Sequence, residues 1–317
     1  MGYRASRNNL IKWKRLLATV AVTVLCLVVA AACIFSAFVP AETWKYYVSL
    51  PNAVSAKDGE LKLHYLDAEN GDCTLIQLPD GKTVLVGGGA DDGQARKNIF
   101  RYLNALKIKR IDVLIVTDAS SRGVGALGEL VANYQIDCAY LPRNASTKEA
   151  YTSFVLELQR KGIPSHEIKF GEILSGENYL LRMLYPLESA QEDDESILTL
   201  SFGGTDVLLG RCDNAIYERL LLDKKLGLLE KWGVVLEDFE IAQIQTSVNE
   251  EILSEFLQEF SCETAIFSCR GGKTYSPTEE NLQVLSDLNR RVYRTDEDGH
   301  VTVSIGRGGY TVATVSS

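Results

Sequence analysis

The chain has 317 residues, 46% of them apolar and 24% charged, with 25 glycines and 7 prolines. This composition excludes a disordered, collagenous or low-complexity chain and leaves a body long enough to bury a sizeable core. Residues 1–15 carry Arg4, Arg7, Lys12, Lys14 and Arg15 without an acid, and 16–39 carry no charge, so a net charge of -9 leaves -14 from Pro40 onward. So acidic a body repels nucleic acid and anionic lipid at long range, and nucleic acid is not an expected partner.

Residues 16–39 read LLATVAVTVLCLVVAAACIFSAFV, 24 positions without a charge. As a helix they rise about 36 Å, enough for a hydrocarbon core of roughly 30 Å. Five cations precede them and none follows closely, which places the N-terminus in the cytoplasm and the body outside. A cleaved signal peptide fits less well, because the run is long and no small-x-small site ends it. Ala31-Ala32-Cys33 hints at lipoprotein cleavage, yet the chain stays apolar through Val39. Met1-Gly2 with Ser6 matches a myristoylation pattern that a spanning chain does not need. The expected organisation is a basic tail over 1–15, a membrane helix over 16–39, a linker over 40–58 and a folded domain over 59–317.

From Gly59 the pattern shortens. Leu61-Lys62-Leu63-His64-Tyr65-Leu66 and Thr74-Leu75-Ile76-Gln77-Leu78 read as strands, and Pro79-Asp80-Gly81-Lys82 turns the chain into a partner over 83–86. Residues 95–106 form a helix with Ile99, Leu103 and Leu106 on its apolar face, then 111–116 a buried strand, then a helix over 125–133. A helix over 147–161 and a strand over 178–185 follow. A second hairpin pairs 197–202 with 206–209 around Gly203-Gly204. Helices near 214–224, 249–259 and 277–289 alternate with strands near 239–244, 263–268, 291–294, 300–305 and 310–315. Ser276-Pro277-Thr278-Glu279 reads as a capping box with Ser276 as N-cap, opening the last of these helices. Each half opens with hairpins and continues in α/β alternation, which predicts two β-sheets face to face with helices outside.

Seven cysteines do not make a framework. Cys26 and Cys33 lie in the apolar run, and Cys73, Cys138, Cys212, Cys262 and Cys269 contain no C-x-x-C pair. Most sit in apolar runs and read as small buried hydrophobes.

Several of these segments carry a family resemblance. Leu66-Asp67-Ala68-Glu69-Asn70-Gly71-Asp72 resembles the strand and turn that open the metallo-β-lactamase-like domain of ComEC-type competence proteins. Residues 81–86 are similar to the strand that follows there. The segment IDVLIVTDASSRGVGAL, 111–127, stands where that family writes a strand and a His-x-His-x-Asp-His loop. Val292-Tyr293-Arg294-Thr295-Asp296 with Glu297-Asp298-Gly299 resembles its closing hairpin. The likeness covers about 60–315. It implies a bacterial source and a four-layer αββα sandwich of the α/β class. In active members it also implies two metal ions that activate a water to attack a phosphodiester or another ester. ComEC-type domains are associated with DNA uptake.

The ligands that the resemblance implies are replaced. Thr117 matches, but Asp118, Ser120, Arg122 and Gly123 stand at the four ligand positions of the His-rich loop. The Asp that ends the first hairpin falls at Gly87, and the bridging Asp of the second half falls at Cys212, six residues before a matching Glu218. The later His-containing segments fall at Gln245-Thr246-Ser247 and Ser276-Pro277. The chain has three histidines, His64, His166 and His300, none at a ligand position. Arg122 adds a fixed cation that repels a divalent metal.

Three rewired sites remain open on the sequence. Asp91, Asp92, Asp118 and Asp213 could gather around magnesium or manganese; Cys212 could serve as a nucleophile. Gly123-Val124-Gly125-Ala126-Leu127-Gly128 is a literal G-x-G-x-x-G, though six residues separate it from the strand end. The expectation is a membrane-anchored, extracytoplasmic, non-catalytic binding or scaffold protein without metal or cofactor, whose partner is an unknown envelope or membrane protein. A residual or rewired metal-dependent hydrolase is the alternative, and a nucleotide-binding module the third.

Overall fold

The computed structural model describes residues 2–37, 41–47, 50–142, 148–185, 196–210, 213–231, 233–234, 238–272 and 274–317. The chain divides into two units, Met1–Val48 and Ser49–Ser317.

The first unit is led by α1 (Gly2–Ser36). Its stretch Trp13–Ser36 is 24 residues of apolar helix with none of it buried, long enough to cross a membrane. The hydroxyls of Thr19 and Thr23 donate to the carbonyls of Arg15 and Thr19 at 3.0 and 2.9 Å, so these polar groups are satisfied within the helix. A 3-10 helix, Ala41–Tyr47, occupies part of the stretch expected as linker.

The second unit opens with β1 (Leu61–Tyr65), β2 (Thr74–Gln77), β3 (Thr83–Val86), α2 (Gly93–Ala105), β4 (Arg110–Ile115) and α3 (Leu127–Asn133). It continues with β5 (Gln135–Leu141), α4 (Glu149–Lys161), β6 (Ser165–Glu167), β7 (Gly171–Ser175), β8 (Tyr179–Tyr185), β9 (Ile197–Phe202) and β10 (Thr205–Gly210). Next come α5 (Asn214–Lys225), α6 (Leu228–Lys231), β11 (Ile241–Gln243), α7 (Glu250–Glu259), β12 (Thr264–Phe267) and α8 (Glu279–Asp287). The chain closes with β13 (Arg291–Arg294), α9 (Thr295–Asp298), β14 (His300–Gly306) and β15 (Gly309–Val315).

Among the described residues eight strands form one sheet in the order β15-β14-β1-β2-β3-β4-β5-β6, and seven form a second, β13-β12-β11-β10-β9-β8-β7. The halves share a plan. β1 to β3 run antiparallel and β3 to β6 parallel. Likewise β7 to β10 run antiparallel and β10 to β13 parallel. The closing hairpin β14–β15 returns to pair with β1 in the first sheet.

Strand alternation sorts the faces. Leu61, Leu63 and Tyr65 of β1 and Val301, Val303 and Ile305 of β14 point inward, where they meet Leu198, Leu200, Val207, Leu209, Ile241 and Ile266 of the other sheet. The outward residues of the second sheet, Leu208, Ala242, Ala265 and Phe267, pack with Tyr217 and Leu220 of α5, Phe256 of α7 and Leu285 of α8. On the outer face of the first sheet, His64 of β1 meets Tyr102 of α2. Two sheets face to face with helices outside is the architecture expected from the sequence.

One local reading is corrected. Thr278, not Ser276, is the N-cap of α8, accepting from the Asn281 N–H at 3.1 Å. The Ser276 hydroxyl donates instead to Arg270 O and to Asp296. The reason is Asp296, whose carboxylate takes two hydrogen bonds from Arg294 and one from the Cys269 thiol, and so gathers the loop after β12.

Candidate functional site

The positions that the resemblance assigns to metal ligands lie where β-strands of both sheets end. Three loops of the first half are joined there by main-chain hydrogen bonds. Gly87 N donates to Ile115 O at 2.8 Å, Gly88 N to Gly123 O at 2.7 Å, and Gly89 N to Asp72 O at 2.9 Å. Asp91 N donates to Ser121 O at 2.7 Å, Gly125 N to Gly89 O at 3.0 Å, and Ala126 N to Gly88 O at 2.9 Å. Backbone lies directly on backbone.

Two ligand positions therefore have no room for a side chain. A Cβ on Gly87 would stand 2.3 Å from Asp72 O, and φ at Gly87 is +74°, where any other residue is strained. A Cβ on Gly123 would stand 2.2 Å from Asp118 O. These glycines are not truncated ligands facing an empty centre; the space is main chain.

The remaining positions are engaged locally. Asp118 is buried and accepts from both the N–H and the hydroxyl of Ser120, while Arg122 is exposed. Cys212 lies outside the described residues. Of the acids that could have gathered around a cation, Asp92 caps α2 and Asp213 caps α5. Asp91 pairs with Arg96 at 2.8 Å. Among the described residues, no group of three or more His, Cys, Asp or Glu side chains is placed to hold a metal ion. The residues present do not fit a binuclear centre, because two positions are closed by backbone and a third carries the Arg122 cation.

The glycine-rich segment has a structural use as well. The N–H groups of Gly123, Gly125 and Ala126 donate to Ser120 O, Gly89 O and Gly88 O. Donors committed to carbonyls are not free to cradle a phosphate.

A neutral side chain spans the two halves instead. Gln243, at the end of β11, is buried, and its amide donates to Asp72 Oδ1 at 3.0 Å and to Ser268 Oγ at 2.9 Å. Its carbonyl oxygen accepts from Gly210 N at 3.3 Å. Asp72 belongs to the first half and Ser268 to the second, so this one residue ties them together. Gln243→Leu removes three hydrogen bonds made by a buried amide and is expected to lower stability by about 2 kcal/mol, read from the urea midpoint. Sequence reasoning missed Gln243, since a glutamine at a strand end carries no pattern.

Above it lies a pocket of about 190 Å³, lined by Asn70, Asp72 and Arg122 from the first half and by Gln245, Ser268 and Tyr275 among others from the second. Next in sequence to the lining residues Ser268 and Tyr275, Cys269 and Ser276 both hydrogen-bond Asp296, which pairs with Arg294 at 2.8 Å. Burial opposes ionisation of Asp296, yet the Arg294 and Cys269 hydrogen bonds keep its carboxyl below the usual range. Burial also pushes the Cys269 thiol up to about 12, leaving it protonated and unreactive.

Two of the three histidines are structural and far from ligand roles. His64 Nε2 faces Gln77 Oε1 at 3.1 Å and Nδ1 faces the Tyr102 hydroxyl at 2.9 Å. The glutamine oxygen can only accept, so the proton sits on Nε2 and Nδ1 accepts from Tyr102. His300 Nδ1 accepts from Asp67 N at 3.0 Å. Burial pushes both imidazoles down to about 3. His166, on edge strand β6, is exposed.

No protein-family model matches the chain. Its sequence is similar to ComE operon protein 3 of Bacillus subtilis (strain 168), 23% identical over 221 residues, covering 65% of this chain and 26% of that protein. The competence-protein likeness holds. The match spans about a quarter of that relative's length. Among solved structures the chain is similar to the metallo-β-lactamase fold protein YhfI from Bacillus subtilis (TM-score 0.47, 11% identity, 74% of this chain and 96% of that one). It is also similar to Tm1679, a metal-dependent hydrolase of the β-lactamase superfamily (0.46, 13%, 74% and 95%). A third is zinc-bound PqqB from Methylobacterium extorquens (0.45, 9%, 70% and 85%). The mixed α/β body with its two sheets has the metallo-β-lactamase-like architecture expected from the sequence.

Proposed function

We propose that this chain is a non-catalytic binding or scaffold protein of the bacterial envelope, built on a metallo-β-lactamase-like body and held to the membrane by α1. The observation that carries this reading is the closed backbone at Gly87 and Gly123, where the resemblance implies metal ligands. The Gln243 bridge supports it, because a neutral amide hydrogen-bonds to both halves there. The apolar stretch Trp13–Ser36 supports the anchor, and the five cations ahead of it support an extracytoplasmic body. The partner is then an envelope or membrane protein.

Metal content tests the reading most directly. The protein is incubated with zinc or manganese, dialysed and analysed by mass spectrometry. Less than about a tenth of an equivalent is expected, and one to two equivalents would overturn the non-catalytic reading. Alkaline extraction tests the anchor. The protein should stay in the membrane pellet; recovery in the supernatant would overturn it.

A further inference from the structure

We propose that Phe35, Trp44 and Tyr47, with Lys45, form an aromatic collar seated in the headgroup region of the bilayer, on the body's side of the membrane helix. The inference rests on the anchor reading above and adds to it that the residues after the span form an interfacial element, not a free tether.

Phe35 lies in the last turn of α1. Its ring meets Trp44 and Tyr47 edge-on, each at 5.4 Å between centroids and at 64° and 90° between planes. A 3-10 helix repeats every three residues, so Trp44 and Tyr47 share one face. Thr43 and Tyr46 share the next face, and both are buried. Lys45 stands on the third face, exposed, with its ammonium 4.7 Å over the Tyr46 ring. One face of the segment thus seals onto the end of the apolar helix, one is buried, and one carries a cation.

Trp and Tyr join an apolar body to a polar tip, and they concentrate where hydrocarbon meets water. A lysine there reaches its ammonium toward lipid phosphates while its stem stays apolar. The other end of the helix has a matching group in Trp13, which is 65% exposed and is followed by Lys14 and Arg15. From Trp13 to Phe35 the helix rises about 33 Å, against a hydrocarbon core of about 30 Å. One aromatic group therefore falls at each surface of the core.

The test uses the full chain in phosphatidylcholine vesicles whose acyl chains are brominated either near the headgroup or near the methyl end. Trp44 is isolated by Trp13→Phe with Trp232→Phe, and Trp13 by Trp44→Phe with Trp232→Phe. Trp44 is expected to lose about half its emission to bromines near the headgroup and clearly less to those near the methyl end, as an interfacial ring should. Trp13 is expected to behave the same way. Quenching of Trp13 with an unaffected Trp44 would overturn the collar and leave the anchor standing. Quenching of neither would overturn both, and stronger quenching of Trp44 from the methyl end would place it inside the core and overturn the collar.

Discussion

Placing the ligands that the resemblance implies at two positions, Gly87→Asp with Gly123→His, is expected to unfold the body, not to build a metal centre. Each Cβ lands within 2.3 Å of a carbonyl oxygen that belongs to packed main chain. At Gly87 the positive φ adds backbone strain to the overlap, together costing roughly 3–5 kcal/mol. With a comparable loss at Gly123, the pair removes much of the 5–15 kcal/mol that typically holds a domain together. Arg122→Asp does the same for a third position, at an exposed site, and serves as the contrast. It should shift stability by no more than about 0.5 kcal/mol. Urea midpoints of the two variants decide the matter. A double variant with an unchanged midpoint and bound zinc would show that the loops had not closed.

Mild acid should destabilise the body through His64 and His300. Both imidazoles are pushed down to about 3 by burial, against an ordinary value near 6.5. Below pH 6.5 the unfolded chain takes up protons that the folded one refuses, so stability falls as pH drops from 6.5 toward 3. By pH 5 the loss is about 2 kcal/mol for each residue, or about 4 kcal/mol for both. Geometry agrees at His300, since protonating its Nδ1 would set an N–H against the Asp67 N–H it now accepts from. The charges nearby do not reverse the sign. Lys62 and Arg101 press the same way, and Asp67, whose carboxyl is raised by burial, offsets part of the loss by favouring the fold in acid. His64→Gln should remove about half of the midpoint difference between pH 7 and pH 5. An unchanged difference would sink the assignment.

Much of the architecture was legible because side-chain alternation and turn chemistry are local. Leu61, Leu63 and Tyr65 alternate with Lys62 and His64, and Pro79-Asp80-Gly81-Lys82 sets the first hairpin. β5 and β6 were not legible for the opposite reason. Gln135–Leu141 follows α3 after a single residue, and Ser165–Glu167 is a three-residue edge strand with every side chain exposed. β6 offers no pattern that separates it from a loop; β5 does alternate Ile136, Cys138 and Tyr140 with Gln135 and Asp137, but no turn signal divides it from α3. The candidate site divides the same way. That Asp118, Ser120 and Arg122 stand where the resemblance implies ligands is readable in one dimension. Whether a glycine such as Gly87 marks a void or a filled space depends on Asp72, fifteen positions earlier in sequence and 2.3 Å away in space. Gln243 and Asp72 are 171 positions apart, beyond any local signal.

The Gln243 bridge also decides what the body's assembly depends on. A centre ligated from both halves would make folding wait for a cation and would make the folded protein hostage to chelators and to competition for zinc. A hydrogen-bonded amide has no such supplier. Under the non-catalytic reading proposed above, the two halves close on groups that every newly made chain already carries, and folding in metal-stripped medium is the expected consequence.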